Sequence, residues 1–124
     1  MHNPVLTKNF TAGGAITKRR IVKFGATDTA VVQGAAATDA LIGVAAELDV
    51  ASGERVDVHM VGPVEVEYGG AVTRGGLLTA DADGKAVAVA PVAGVNNGVI
   101  GRAMESGVLG DVGSVLLTPS QIQG

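Results

Sequence analysis

Two glutamates occupy matching positions in two similar strings of the chain. Residues 41–47 read LIGVAAE and residues 99–105 read VIGRAME, so each string ends on a glutamate, Glu47 or Glu105. Glycosidases use two carboxyl groups roughly 5 to 10 Å apart across a sugar-binding cleft. Such clefts usually contain aromatic side chains for the sugar to stack on, but this chain has no Trp and one Tyr. A small hydrolase that uses these two glutamates is therefore an alternative, and a duplicated structural unit is the preferred interpretation.

A histidine lies among carboxylates in a second candidate site. His59 alternates with apolar residues and has Asp57, Glu65 and Glu67 nearby in the sequence. Such a group can bind zinc or relay a proton, but the polar outer face of an antiparallel sheet has the same pattern. We prefer the outer-face interpretation. His2, near the chain start, gives no signal of its own.

Residues 81–84, DADG, are similar to the start of a calcium-binding loop. A complete loop needs a further oxygen ligand and a terminal glutamate, whereas Lys85 and alternating Ala and Val follow here. Asp83-Gly84 supplies the conformations that a tight turn needs. The motif therefore predicts a β-hairpin.

Other catalytic motifs are missing from the sequence. It contains no GxxxxGK[ST] phosphate loop, no GxSxG nucleophile elbow and no cysteine. The net charge is −3, and the basic run Lys18-Arg19-Arg20 is interpreted as a solvated strand end or a salt-bridging surface. We expect no cofactor, no metal and no nucleic-acid partner. No segment has the apolar length of a membrane span or signal peptide, so we expect no membrane partner and synthesis in the cytoplasm.

The composition favours an all-β fold with a thin core. Nineteen glycines indicate many turns, and valines at alternating positions indicate strands. Apolar residues make up 47% of the chain, but the aromatic ones are only Phe10, Phe24 and Tyr68. A core of small side chains gains stability from oligomerisation or docking.

The chain contains an internal repeat. Three blocks recur in the same order: GGAIT (13–17) with GGAVT (69–73), LIGVAAE with VIGRAME, and DVHMVGP (57–63) with GSVLLTP (113–119). Because about 50 residues are too few to bury a β-core alone, we expect the halves to complete one barrel or sandwich. The prediction is a single β-domain over residues 15–124, with pseudo-repeats at about 12–63 and 68–119.

The sequence also predicts one strand within this domain and an arm before it. Alternation of Val56, Val58 and Met60 with polar residues predicts a strand, which Gly62-Pro63 should bend or break. Residues 1–14 have no sustained period and end in two glycines, so they predict an extended N-terminal arm, disordered or held by a partner.

Several segments resemble one protein family. The segments LTKNFTAGGAI, LIGVAAELDVASGERVDVHMVGPVEV, GGAVTRGGLLTADADGKAV and VIGRAME are similar to the small capsid cement, or head decoration, proteins of tailed phages, over residues 7–118. The family is often labelled as a predicted recombinase, which the missing phosphate loop does not support. Lys8-Asn9-Phe10 resembles its arm, and Gly53-Glu54 resembles the turn before its central strand. Gly13-Gly14 replaces the common Gly-Asp, so the hinge of the arm differs.

The resemblance implies a structural protein and not an enzyme. It implies an all-β body that binds the major capsid protein on the outside of the expanded shell, as a homotrimer at threefold and quasi-threefold positions or as a dimer. The expected location is the virion surface. An alternative on the same fold is a virion-displayed domain that binds glycans or the host surface.

Residues are predicted for two contacts. An arm can add a strand to a sheet edge of a partner. The predicted capsid contacts are the arm residues Leu6, Thr7, Lys8, Asn9, Phe10 and Thr11, with Phe10 as the apolar anchor. Phe24 and Tyr68 are the predicted oligomer contacts.

Overall fold

This computed structural model describes residues 2–123, which contain nine β-strands and no helix. The strands are β1 (Leu6–Ala12), β2 (Ile21–Phe24), β3 (Ala30–Gln33), β4 (Leu41–Ala45), β5 (Arg55–Glu67), β6 (Leu77–Ala80), β7 (Ala86–Ala88), β8 (Asn96–Ala103) and β9 (Val112–Gln123). The all-β prediction is therefore confirmed. Within the same range, no helix is long and apolar enough to cross a membrane.

The first half of the chain forms a closed barrel of five strands. Their order is β1-β3-β2-β4-β5, and β1 also pairs with β5, which closes the ring. β1 and β3 are parallel, and the other neighbours in the ring are antiparallel. Alternate side chains point inward. They form a core cluster of Phe10, Ala12, Ile16, Val22, Val31, Ile42, Ala45, Val50, Val56 and Val58.

The second half repeats this order, with part of β5 in the place of β1. Its order is β5-β9-β8-β6-β7, and a parallel bridge joins Tyr68, just after β5, to Ala86 on β7. This bridge corresponds to the parallel pair of β1 and β3. The halves share their packing, because Ile21, Leu41 and Val44 from the first half belong to the core cluster of the second.

Strand β5 connects the two halves without a break. It runs from Arg55 through Gly62-Pro63 to Glu67. Of the predicted bend or break, the break does not occur, but the partner changes at this point: residues up to Val61 pair with β1, and Gly62 onward pairs with β9. Gly62 has a φ of 102°, and a Cβ there would lie 2.7 Å from the backbone nitrogen of Val5. Glycine is required because the N-terminal segment passes so close.

The strand pairing shifts one block of the repeat by a single residue. Ala45 pairs with Val58 and the equivalent Ala103 pairs with Val115, so Val58 corresponds to Val115. The sequence alignment above places Val58 opposite Ser114 instead. Because side chains alternate along a strand, a shift of one residue exchanges the inner and outer faces. The buried valines therefore determine the correct register.

Tyr68 fills a core position in the second half that a smaller residue occupies in the first half. It corresponds to Ala12, and Gly113 corresponds to Val56, so a large–small pair replaces a small–large one. Tyr68 is fully buried, and a Cβ on Gly113 would overlap its hydroxyl oxygen. That hydroxyl donates a hydrogen bond to the backbone oxygen of Glu105 at 2.7 Å. The prediction that Tyr68 contacts another copy is therefore corrected, because its side chain lies in the core.

Candidate functional site

The predicted N-terminal arm is part of the barrel. Asn3 N donates to Pro63 O at 2.7 Å, Val5 N donates to Val61 O at 2.9 Å, and β1 continues along β5 to Thr11. Phe10 is 5% exposed and lies in the core, so it cannot serve as a capsid anchor. The predicted boundary at residue 14 is thus corrected. Met1 and Gly124, the outer limits of the predicted arm and domain, lie outside the described residues.

The remaining predicted arm residues form a solvent-facing strip. Leu6, Thr7, Lys8 and Asn9 are exposed, and Thr11 is half-buried. Side chains of this strip are fixed by the neighbouring strand: Thr7 Oγ1 forms a hydrogen bond with His59 Nδ1 at 2.8 Å. These contacts hold the strip in a defined conformation.

One edge of β1 is open over most of its length. β3 pairs only with Thr11 and Ala12, so the edge of Leu6–Phe10 that faces away from β5 has no strand partner within residues 2–123. Backbone groups alternate in direction along a strand. Thr11 N donates toward β3, to Thr29 O, and Ala12 N donates toward β5, to Glu54 O. The N–H groups of Thr7 and Asn9 therefore point to the open edge, where another chain can pair with them.

The two glutamates of the repeat are held by different partners. Glu47, in the loop after β4, lies 3.8 Å from Arg19 Nε through its Oε1. Glu105 accepts a hydrogen bond from Ser114 N at 3.0 Å, and bonds from Ser114 hold the pKa of Glu105 below its usual value. A glycosidase needs one carboxyl whose pKa is raised so that it can donate a proton. This geometry does not favour the hydrolase alternative.

The carboxylates around His59 are mostly engaged elsewhere. Asp57 accepts a hydrogen bond from Asn9 Nδ2 at 3.0 Å, and Glu67 lies 3.4 Å from Arg20 Nε and 3.3 Å from Lys85 Nζ. Burial is the main reason that the pKa of His59 is lowered. The zinc-binding or proton-relay group considered from the sequence, His59 with Asp57, Glu65 and Glu67, is therefore not assembled as one site.

The basic run and the DADG segment meet at the junction of the two halves. Residues 81–85 form the predicted hairpin turn between β6 and β7, in which Gly84 has a φ of 74°. Arg20 Nη1 donates to Asp83 O at 2.8 Å, and Ile21 N donates to Gly84 O. The hairpin is confirmed, and it docks the second half onto the first.

A cavity of about 270 Å3 lies beside β1. It is lined by Asn9, Ala46, Leu48, Val50, Arg55, Val56 and Asp57. Neither Glu47 nor Glu105 is among these residues, so the cavity does not join the two carboxylates. Phe24, the other predicted oligomer contact, is 59% exposed at the end of β2.

Comparisons with known proteins give a matching family model and a similar solved structure. A family model described as phage cement protein matches residues 1–118. The chain is also similar to a solved structure, the head fiber gp8.5 N base in bacteriophage phi29, with 21% identity and a TM-score of 0.68. That match covers 96% of this chain and 98% of the other. At this identity the likeness shows the fold alone. No curated protein sequence matches the chain.

Proposed function

The chain belongs to the phage cement protein family, and on that premise we propose that it binds the outside of the expanded major capsid protein shell and stabilises it. It acts as a structural protein and not as an enzyme. It is made in the host cytoplasm and then resides on the outer surface of the virion. The observation that carries the proposal is the open edge of β1.

The open edge suits attachment to a capsid subunit. A strand of the partner that pairs with Leu6–Phe10 would gain main-chain hydrogen bonds without aromatic anchors, and the exposed side chains of β1 include no aromatic residue. The edge is preformed, because β1 is held along β5 and by the buried Phe10. A preformed edge avoids the entropy cost of ordering a flexible arm. This mechanism replaces the extended arm, disordered or held by a partner, that the sequence predicts.

Oligomerisation would strengthen such a contact. Linked copies that touch neighbouring capsid subunits convert modest contacts into strong overall binding. We propose a trimer at threefold and quasi-threefold positions, with a dimer as the alternative, and Phe24 as an oligomer contact because it is the large exposed aromatic side chain of residues 2–123. A ligand that prefers the expanded shell stabilises that state by mass action.

A proline at the open edge tests this contact. Asn9→Pro removes one edge N–H, and we expect a loss of about 1 kcal/mol, or about fivefold in affinity, for each copy. Asn9→Ala is the matched control, because both variants lose the side-chain bond to Asp57 but only proline loses the N–H. The measurement is co-sedimentation with expanded phage heads. Equal binding by the two variants would refute edge pairing at Asn9.

A deletion of residues 1–12 is not a suitable test. It removes Phe10 and Ala12 from the core of the first barrel, together with the strand that closes the ring. We expect the truncated chain to unfold, so its failure to bind would say nothing about the edge. The point variants at Asn9 avoid this problem because Asn9 is exposed.

A further inference from the structure

Three side chains from separate segments converge on the outer face of β5. They are His2 from the N-terminal segment, Glu47 from the loop after β4, and Glu65 from β5, and their ligand atoms all lie within 4.8 Å of one another. We propose that His2, Glu47 and Glu65 form a binding site for a divalent transition metal of the Zn2+ type. This proposal does not depend on capsid binding. It differs from the expectation of no metal, because no sequence pattern places His2 beside Glu47 and Glu65.

The fold places His2 at this point by defined contacts. Asn3 N donates to Pro63 O, and Glu65 N donates to His2 Nδ1 at 3.1 Å. The ring of His2 packs edge-on against the ring of His59, with centroids 5.0 Å apart and planes at 74°. His59 is itself fixed through Nδ1 by Thr7. These contacts limit the positions that the ring of His2 can take beside Glu65.

The two carboxylates reach His2 from two different segments of the chain. Glu65 lies on the outer face of β5, where alternation puts Val64 and Val66 inward. Glu47 follows Ala46, whose N–H is held by Asp57 O at 2.9 Å. Arg19 Nε lies 3.8 Å from Glu47 Oε1. A bound cation would therefore share the Glu47 carboxylate with Arg19. A bound cation would also relieve the repulsion between the two neighbouring carboxylates, which favours its binding.

The ligand set selects a class of metal. One imidazole nitrogen and two carboxylate oxygens suit Zn2+, which binds three protein ligands and leaves a fourth position to water or another group. Ca2+ takes six to eight oxygen ligands, and Mg2+ prefers octahedral oxygen coordination, so both fit a site containing histidine poorly. Histidine is also a good ligand for Ni2+ and Cu2+.

Metal binding must compete with one existing hydrogen bond. A neutral imidazole has one nitrogen lone pair, and in this structure Nδ1 uses it to accept the Glu65 N–H. A metal that takes this lone pair displaces that bond. Binding would then cross-link residue 2, the loop after β4 and strand β5. The segment of residues 2–5, which lies along β5, would open less often.

The test is a titration of the untagged chain with its own N-terminus, because added histidines beside His2 would bind metal themselves. Isothermal titration with ZnCl2 should give one ion per chain, and MgCl2 at the same concentration should give no heat of binding. His2→Ala and Glu65→Gln should each weaken Zn2+ binding at least tenfold. Asp28→Asn, an exposed carboxylate in the loop before β3, is the matched control and should bind like the original chain.

Hydrogen exchange supplies a second measurement at the site. Zn2+ should slow exchange of the Asn3 and Val5 amides, which bond to β5, and should leave them unchanged in His2→Ala. Circular dichroism checks that each variant is folded. The proposal is overturned if the original chain binds Zn2+ no more tightly than His2→Ala. It is also overturned if bound Zn2+ leaves the two amides unprotected, since the ion would then sit elsewhere on the surface.

Discussion

Exchanging the sizes of Tyr68 and Gly113 should reveal how the repeat was repacked. The first half has Ala12 and Val56 at the equivalent positions, so Tyr68→Ala with Gly113→Val reproduces the packing of that half. Each change alone disturbs a close contact between a buried tyrosine and a glycine. The two changes together restore a small–large pair.

The size of each effect follows from the contacts. Gly113→Val drives a side chain into a ring that the hydrogen bond to Glu105 O holds in place, which should cost about 3 kcal/mol. Tyr68→Ala leaves a cavity and should cost about 4 kcal/mol. Independent effects would give about 7 kcal/mol for the double variant. Because the valine occupies space left by the ring, we expect about 4 kcal/mol, a coupling of about 3 kcal/mol.

Urea unfolding followed by circular dichroism measures these free energies. Fluorescence is unsuitable because Tyr68 is the sole tyrosine and the chain has no tryptophan. The fitted denaturant slope should stay the same in all four proteins, which shows that the unfolded states are comparable. Strictly additive losses would refute the proposed equivalence of Tyr68–Gly113 with Ala12–Val56.

Three further predictions concern charges and the oligomer. Glu67→Gln should lower the free energy of unfolding by about 1 kcal/mol, because Arg20 and Lys85 lose their carboxylate partner. Urea titration in about 1 M salt should reduce that loss, and a loss independent of salt would contradict an ionic origin. The lowered pKa of Glu105 stabilises the fold above the unfolded value of 4.5, and this stability is lost as the pH falls through the lower folded value. Glu105→Gln should therefore flatten the acid limb of stability against pH; an unchanged limb would exclude Glu105. Phe24→Asp should change the unfolding free energy by less than about 0.5 kcal/mol yet dissociate the oligomer in native mass spectrometry, and an intact oligomer would rule out Phe24.

Strong alternation and turn chemistry made part of the fold predictable. Val56, Val58, Val64 and Val66 all point inward on β5, as their spacing indicates. The turn at Gly84 needs a positive φ, which glycine adopts without strain. The repeat predicted two similar halves, but the expectation that they complete one barrel together is corrected, because the first half closes a ring of its own.

The features that the sequence did not predict depend on pairing between strands far apart in the chain. Only Phe10 and Ala12 are fully buried in β1, so its alternation is too short to distinguish a strand from an arm. Its place is set by β5, which lies far away in the sequence. The same strand positions His2, which has no local signal at all. The register of the last repeat block likewise depends on the ladder between β8 and β9.

Co-sedimentation with phage heads tests the central claim most directly. The purified chain is mixed with expanded heads and, separately, with unexpanded proheads of the phage that encodes it, and both are pelleted. The account predicts saturable binding to the expanded heads, little binding to the proheads, and greater heat stability of the decorated shells. Equal binding to both particles, or to neither, would contradict the proposal that this protein cements the expanded capsid.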